Sequence, residues 1–127
     1  MVTKQGGARA ASDKSEALCR LDAIADGTAT AVDAPIDGET ESLIVLRSGT
    51  RAHAYLNVCP HAGRRLDWAP GKFLVKDGIL VCAVHGASFQ TDSGCCVGGP
   101  CRGDRLRAIP VTVDADGWVR MVPDAEH

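Results

Sequence analysis

The sequence predicts an all-β protein, an antiparallel β-sandwich or a small barrel. Short apolar stretches rich in β-branched residues recur along the chain, Gly and Asp turns separate them, and no segment after residue 17 has a convincing helical period. Domains built only from short strands bury their apolar faces by closing into a sandwich or a barrel. The 127 residues suffice for one domain with a buried core.

The turns pair these stretches into hairpins. Gly49 lies between two apolar stretches, and Asp77-Gly78 is a strong signal for a tight turn between two more. A last hairpin turns at residues 114–117. The predicted strands, in chain order, are 18–21, 28–32, 42–47, 51–56, 73–75, 79–82, 109–113 and 118–122.

The domain is predicted to cover residues 18–122, with tails at 1–17 and 123–127. The first tail lacks an apolar signal core and no apolar run reaches about 18 residues, so we expect a cytoplasmic protein that does not span a membrane. The net charge is −2 and no basic stripe carries aromatic residues, which disfavours nucleic acid as a partner.

Two short motifs carry the chemistry: Cys59-Pro60-His61 and Cys82-Ala83-Val84-His85. Two Cys and two His could hold one zinc ion or a two-iron, two-sulfide cluster. Zinc fingers present a Cys pair followed by a His pair, whereas each motif here mixes the two ligand types, which favours the cluster.

The motifs resemble those of the Rieske iron–sulfur family, and most closely those of its small ferredoxin-type members. The resemblance extends from about Leu18 to about Met121. Besides the two motifs, it rests on Asn57, Gly63, Gly86-Ala87-Ser88-Phe89, Asp92-Ser93-Gly94, Gly98-Gly99-Pro100, Leu106 and Ile109-Pro110-Val111.

The resemblance implies a small cluster-binding subdomain of two ligand loops at one end of the sandwich. It also implies one [2Fe-2S] cluster per chain, with Cys59 and Cys82 on the inner iron and His61 and His85 on the outer iron. The implied function is that of a one-electron carrier without catalytic residues of its own. A flavin reductase would be the donor, and an oxygenase or another oxidoreductase the acceptor.

Two other classes remain open. The chain could be a permanent small subunit of an oxygenase or of a nitrite-reductase-like enzyme. It could also be a redox-sensing or structural metal module. Oxygenase catalysis by this chain is excluded, because a mononuclear iron site needs two further His and a carboxylate, and only His53 and His127 are left over.

The sequence departs from the respiratory members of the family, which carry a disulfide between the loops and a Ser and a Tyr after the second loop. The corresponding positions are Arg64, Ala83, Ala87 and Phe89. Without hydroxyl donors near the sulfurs the reduced state is less stabilised, so the sequence predicts a low potential.

The segment around the motifs is basic. Residues 59–110 hold seven basic and four acidic side chains, and Arg64, Arg65 and Arg102 would form a basic collar for an acidic partner. Residues 98–103 are expected to form a third loop over the cluster. Cys19 is expected to be a packing residue, and whether Cys96 and Cys101 form a disulfide stays open.

Overall fold

A computed structural model describes residues 17–59, 65–67, 69, 71–82, 86–99 and 103–122. In these residues regular structure consists of strands and a single 3₁₀ turn, Leu21–Ala23. The strands are β1 Ala17–Arg20, β2 Ala29–Ile36, β3 Glu39–Ser48, β4 Arg51–Leu56, β5 Leu74–Lys76, β6 Ile79–Val81, β7 Ser88–Gln90, β8 Cys96–Gly98, β9 Ala108–Ile109, β10 Val111–Val113 and β11 Trp118–Met121.

The strands form three antiparallel sheets. The large sheet has the order β9-β4-β3-β2, the terminal sheet β10-β11-β1, and the small sheet β5-β6-β7-β8. The all-β prediction is confirmed. Within the described residues, no helix is long and apolar enough to cross a membrane.

Strand β3 is buried on both faces and separates two apolar clusters. Successive side chains of a strand point to opposite faces, so Leu43 and Val45 enter one cluster while Ile44 and Leu46 enter the other. The first cluster, the scaffold core, joins the large and terminal sheets and comprises Leu21, Ile24, Ala34, Leu43, Val45, Ala54, Ile109 and Val119. The second, the loop-side core, joins the large and small sheets and comprises Ile44, Leu46, Tyr55, Cys59, Leu66, Leu80, Cys82, Ala87, Phe89 and Leu106.

The predicted strand 109–113 is wrong as a single element, because the structure divides it at Pro110. Ile109 pairs with Ala54 in the large sheet, whereas Val111 pairs with Met121 in the terminal sheet. Proline has no N–H to give to a ladder, so the chain changes sheets there. The carbonyl of Pro110 still accepts a hydrogen bond from the Val122 amide (2.9 Å).

The other predicted hairpins are present. Residues of β3 and β4 pair across the turn at Gly49, and β5 and β6 pair across Asp77-Gly78. The prediction missed β7 and β8, which have three residues each and no long apolar alternation. It also ended β2 four residues early, since β2 continues to Ile36 and includes Pro35, which an edge strand tolerates.

Candidate metal centre

Cys59 lies just beyond the end of β4, in the loop-side core. Strand β4 ends at Leu56, and Cys59 is fully buried with a free thiol. A buried free thiol in apolar surroundings behaves as a small hydrophobic residue until it meets a metal. The position therefore keeps a soft ligand away from water.

Cys82 follows β6 and opens a tight loop. Its amide donates to the Ala87 carbonyl (2.7 Å), and its carbonyl accepts from the Gly86 amide (2.8 Å). Gly86 has φ +73, which glycine adopts without the Cβ penalty of other residues. These bonds close residues 82–87 into a loop whose first residue, Cys82, is a buried free thiol.

The structure thus brings two of the four predicted ligands into one apolar cluster, from two separate loops. His61 and His85 lie outside the described residues, as do Pro60, Gly63 and Arg64. Within the described part of the chain, no group of three His, Cys, Asp or Glu side chains could hold a metal ion. His53, which the sequence left over, lies half-buried on β4.

The first loop is closed by Asn57, which is buried. Its side-chain Oδ1 accepts a hydrogen bond from the Leu66 amide (2.8 Å), nine residues further along the chain. Its Nδ2 donates to Ser42 Oγ on β3 (3.2 Å), and its backbone N–H donates to the Ser42 carbonyl (2.9 Å). Asn57 therefore fixes both ends of the segment that carries Cys59 to the large sheet.

Asp67 continues this network. Arg65 donates to both carboxylate oxygens (3.0 and 2.8 Å), and the Gly71 amide donates to Oδ2 (3.0 Å). The Arg65 bond is the main cause that lowers the pKa of Asp67 to about 2. Burial opposes it, whereas the Gly71 amide and the Asn57 side chain act in the same direction as Arg65. The carboxylate is therefore ionised at neutral pH although its side chain is only 2% exposed. The stretch between the loops turns tightly at residues 69–72, where the Lys72 amide donates to the Ala69 carbonyl (2.8 Å).

The third loop lies against the second. A Cβ placed on Gly99 would be 2.8 Å from the Gly86 carbonyl oxygen and 2.9 Å from Ala87 Cα. Glycine alone permits this approach of two backbones. The rest of the predicted covering loop is described only at Gly103. Its other residues, Pro100, Cys101 and Arg102, lie outside the described part of the chain.

The side chains at the two positions where respiratory members of the family carry a Ser and a Tyr are fully buried. Ala87 and Phe89 lie in the loop-side core with the two cysteines. The neighbouring Ser88 hydroxyl is directed to the Gly86 carbonyl (3.5 Å), and the Tyr55 hydroxyl donates to the Thr91 carbonyl (2.9 Å). Burial is the main cause that raises the pKa of Tyr55 to about 12, so it stays a neutral donor.

The remaining cysteines differ in environment. Cys19 packs against the scaffold core as predicted, and burial raises the pKa of its thiol. Cys95 has a free thiol, and its backbone pairs with that of Arg105 in an isolated antiparallel β-bridge. Cys96 is disulfide-bonded, and Cys101 lies outside the described residues.

One of the three arginines of the predicted basic collar, Arg65, has an acidic partner that offsets its charge. The charge of Arg65 is matched by the buried carboxylate of Asp67 at 2.8 Å. Arg107 also has an acidic partner, Asp37, at 3.2 Å. Lys72 and Lys76 are exposed, while Arg64 and Arg102 lie outside the described residues.

The sequence model of the Rieske [2Fe-2S] domain family matches residues 15–116. The chain therefore belongs to this family, and both the resemblance and the [2Fe-2S] cofactor are confirmed.

The chain is similar to two curated proteins. It is 35% identical over 77 residues to the ferredoxin component of the alkene monooxygenase system of Xanthobacter autotrophicus, covering 61% of this chain and 57% of that protein. It is 36% identical over 72 residues to a candidate Rieske subunit of a respiratory nitrate reductase of Haloferax mediterranei, covering 56% of this chain and 30% of that protein. The chain thus spans less than two thirds of either relative.

Among solved structures, the chain is similar to the ferredoxin of carbazole 1,9a-dioxygenase from Nocardioides aromaticivorans, with a TM-score of 0.67 and 29% identity. The match covers 85% of this chain and 96% of that ferredoxin. The antiparallel Rieske-type fold is thereby confirmed.

Asn57, Asp67 and Tyr55 are the residues of this region whose roles sequence reasoning missed. Asn57 entered only as part of the resemblance, and Asp67 only as one charge in a count. The one available signal was a polar residue directly after an apolar strand, at Asn57.

Proposed function

We propose that Cys59, His61, Cys82 and His85 ligate the [2Fe-2S] cluster and that the chain is a one-electron carrier between a reductase and an oxygenase. The observation that carries the proposal is the pair of buried free thiols, Cys59 and Cys82, delivered to one apolar cluster by two separate loops. Each loop also contains one of the two histidines in sequence.

The residues present fit such a cluster. Two thiolates are the protein ligands that one iron of a Rieske centre requires, and imidazoles serve the other iron. The close approach of Gly99 brings the backbone of the third loop against the backbone of Gly86 and Ala87 in the second. Amide groups of such glycine loops can be directed at anionic sulfur.

When bound, the cluster accepts and releases a single electron without bond making in a substrate. The chain then has three tasks: to hold the ligands, to exclude water on the cysteine side and to present the histidine side to partners. The burial of Cys59 and Cys82 accounts for the second task. A flavin reductase is the donor that we propose, and an oxygenase the acceptor. The cytoplasm is the proposed compartment. The free thiols of Cys19 and Cys95 support it, since thiols are kept reduced there, and the disulfide-bonded Cys96 is the observation against it.

A second candidate is a permanent subunit of a larger oxidoreductase. The similarity to the Haloferax mediterranei protein favours it. The two candidates differ in whether the chain leaves its partner between electron transfers.

The test is to purify the protein from iron-replete, anaerobic growth and measure iron and acid-labile sulfide. We expect two of each per chain, a red-brown colour and full reduction by a flavin reductase with NADH or NADPH. Stoichiometric zinc in place of iron would refute the proposal.

Reduced protein mixed with an oxygenase component should be reoxidised and should elute alone afterwards on size-exclusion chromatography. Elution only in a stable complex with an oxidoreductase from the same cells would support the subunit role instead.

A further inference from the structure

We propose that Asn57 is a positioning residue which, together with Asp67, closes the first ligand loop and keeps its ligands in place for the cluster. The inference rests on the proposed function and concerns a side chain with no assigned role. It follows from the hydrogen bonds of one buried amide.

The Asn57 side chain uses both its acceptor oxygen and its amide nitrogen. Oδ1 accepts from the Leu66 amide, while Nδ2 donates to Ser42 Oγ. A carboxamide is the side chain that offers one carbonyl acceptor and two N–H donors at one point. The side chain is 1% exposed, so water does not replace a lost partner.

The position of these bonds matters more than their number. Asn57 is two residues before Cys59, and Leu66 is buried at the far end of the same loop. The bond between them joins the ends of a nine-residue separation that includes His61. Opening it would free the loop from the large sheet at its far end, without removing any ligand.

Asp67 transmits the closure to the following turn. Its carboxylate receives bonds from Arg65, at the end of the loop, and from the Gly71 amide, in the following turn. The Asn57 side chain also acts to lower the pKa of this carboxyl, so the two side chains are neighbours. The loop and the turn at 69–72 are therefore fixed by one shared anion. A carboxylate at position 57 would face that of Asp67 in a buried site and repel it.

The experiment measures iron release from the loaded protein to an excess of a strong iron chelator, followed by loss of visible absorbance. Asn57→Leu, which keeps the branched shape of the side chain and removes both of its hydrogen bonds, should release iron at least tenfold faster than the parent. Hydrogen exchange of a peptide containing Leu66 should accelerate at least tenfold in the same variant, because its amide loses its acceptor.

Two control variants separate positioning from general stability. Leu43→Ala removes a fully buried side chain from the scaffold core and should release iron within threefold of the parent, despite lower unfolding stability. Ser42→Ala removes the partner of Nδ2 and leaves the Leu66 bond in place, so its release rate should lie between those of the parent and of Asn57→Leu. If Asn57→Leu releases iron no faster than Leu43→Ala, the inference is overturned.

An exchange of the two side chains covers the case in which Asn57→Leu does not fold. Asn57→Asp alone should release iron at least tenfold faster, and adding Asp67→Asn should recover part of that loss, since only one of the two neighbouring carboxylates then remains. A double variant that is as fast as or faster than Asn57→Asp would overturn the inference. Failure of the proposed function would differ from either result, because the parent would then contain no iron and sulfide.

Discussion

The two apolar cores on either side of β3 are built by different means. The scaffold core joins the large and terminal sheets, and strands β3 and β2 of the large sheet have ten and eight residues. The loop-side core joins the large sheet to a sheet in which every strand has three residues. Long paired strands bury apolar area along their whole length, whereas three-residue strands bury little on their own.

The loop-side core is held by individual contacts instead. Tyr55 crosses from β4 to the turn after β7 through its bond to Thr91, and a Cβ on Gly94 would be 2.7 Å from its ring. Asn57 and Asp67 fix the first loop, and Gly99 lies against the second. The scaffold core is therefore stabilised by buried apolar area, whereas the loop-side core depends on contacts at a few specific positions and on the cofactor. The following predictions test this difference, from the largest expected effect to the smallest.

Removing a cysteine should abolish the cluster when the residue lies in the loop-side core and should spare the cluster when it lies in the terminal sheet. Cys82→Ala should abolish the cluster, because a methyl group cannot ligate iron, whereas Cys19→Ala in the terminal sheet should keep it. Iron and sulfide analysis of both variants measures the outcome. Retention of a full cluster in Cys82→Ala would contradict the assignment of the cluster to the loop-side core.

Core truncations should cost similar free energies with different consequences. Leu43→Ala and Leu80→Ala each remove a fully buried leucine, one from each core, and each should lower the free energy of unfolding by about 2–5 kcal/mol. Only Leu80→Ala should also accelerate iron release, because Leu80 packs in the same core as Cys59 and Cys82. Denaturant unfolding and chelator kinetics measure the two effects. Equal release rates would show that the cores are not distinct.

Glycine replacement should cost more at the loop contact than at a free turn. Gly38 and Gly99 have φ +87 and +85, but only at Gly99 would a Cβ meet backbone atoms, at 2.8 and 2.9 Å. We expect Gly38→Ala to cost about 1–2 kcal/mol, from the left-handed backbone alone. Gly99→Ala should cost about 1–3 kcal/mol more, from overpacking. Thermal or denaturant unfolding gives both numbers, and equal costs would contradict the close packing of the two loops.

The Asp67 network should make stability depend on acid. Because the folded pKa of Asp67 is lowered to about 2, its contribution is complete above the ordinary value of 3.8 and is lost as the pH falls towards 2. A shift of this size corresponds to about 2 kcal/mol. Asp67→Asn should therefore be less stable than the parent at pH 6, and the difference should shrink between about pH 4 and pH 2. A difference that is constant with pH would exclude the ion pair as its source.

The smallest effect should be on the reduction potential. With Ala87 and Phe89 buried beside the candidate ligands, the potential should lie at the low end of the Rieske range, about −150 mV. Ala87→Ser should raise it if the new hydroxyl donates to a sulfur, whereas Ser88→Ala, which removes a hydroxyl directed to the Gly86 carbonyl, should leave it unchanged. Protein-film voltammetry measures both. A parent midpoint well above zero would contradict the missing-donor argument.

The scaffold was largely predictable, because its signals are local. The turns at Gly49 and Asp77-Gly78 and the strands around them are in the structure at or near the predicted positions. The prediction failed where local pattern was short or ambiguous. Strands β7 and β8 carry only three residues, and the division at Pro110 depends on which sheet each half joins.

The sequence by itself determined the all-β class, the main hairpins, the family and the two Cys/His motifs, because turn chemistry, strand alternation and ligand spacing involve residues close together in the chain. Only the tertiary structure decided that Cys59 and Cys82 share one core, that Asn57 closes the first loop at Leu66, and that the charge of Arg65 is matched by Asp67. These contacts depend on burial and on the approach of segments from different strands. A buried amide or carboxylate takes whichever partners the packed backbone presents, and no local sequence pattern specifies them.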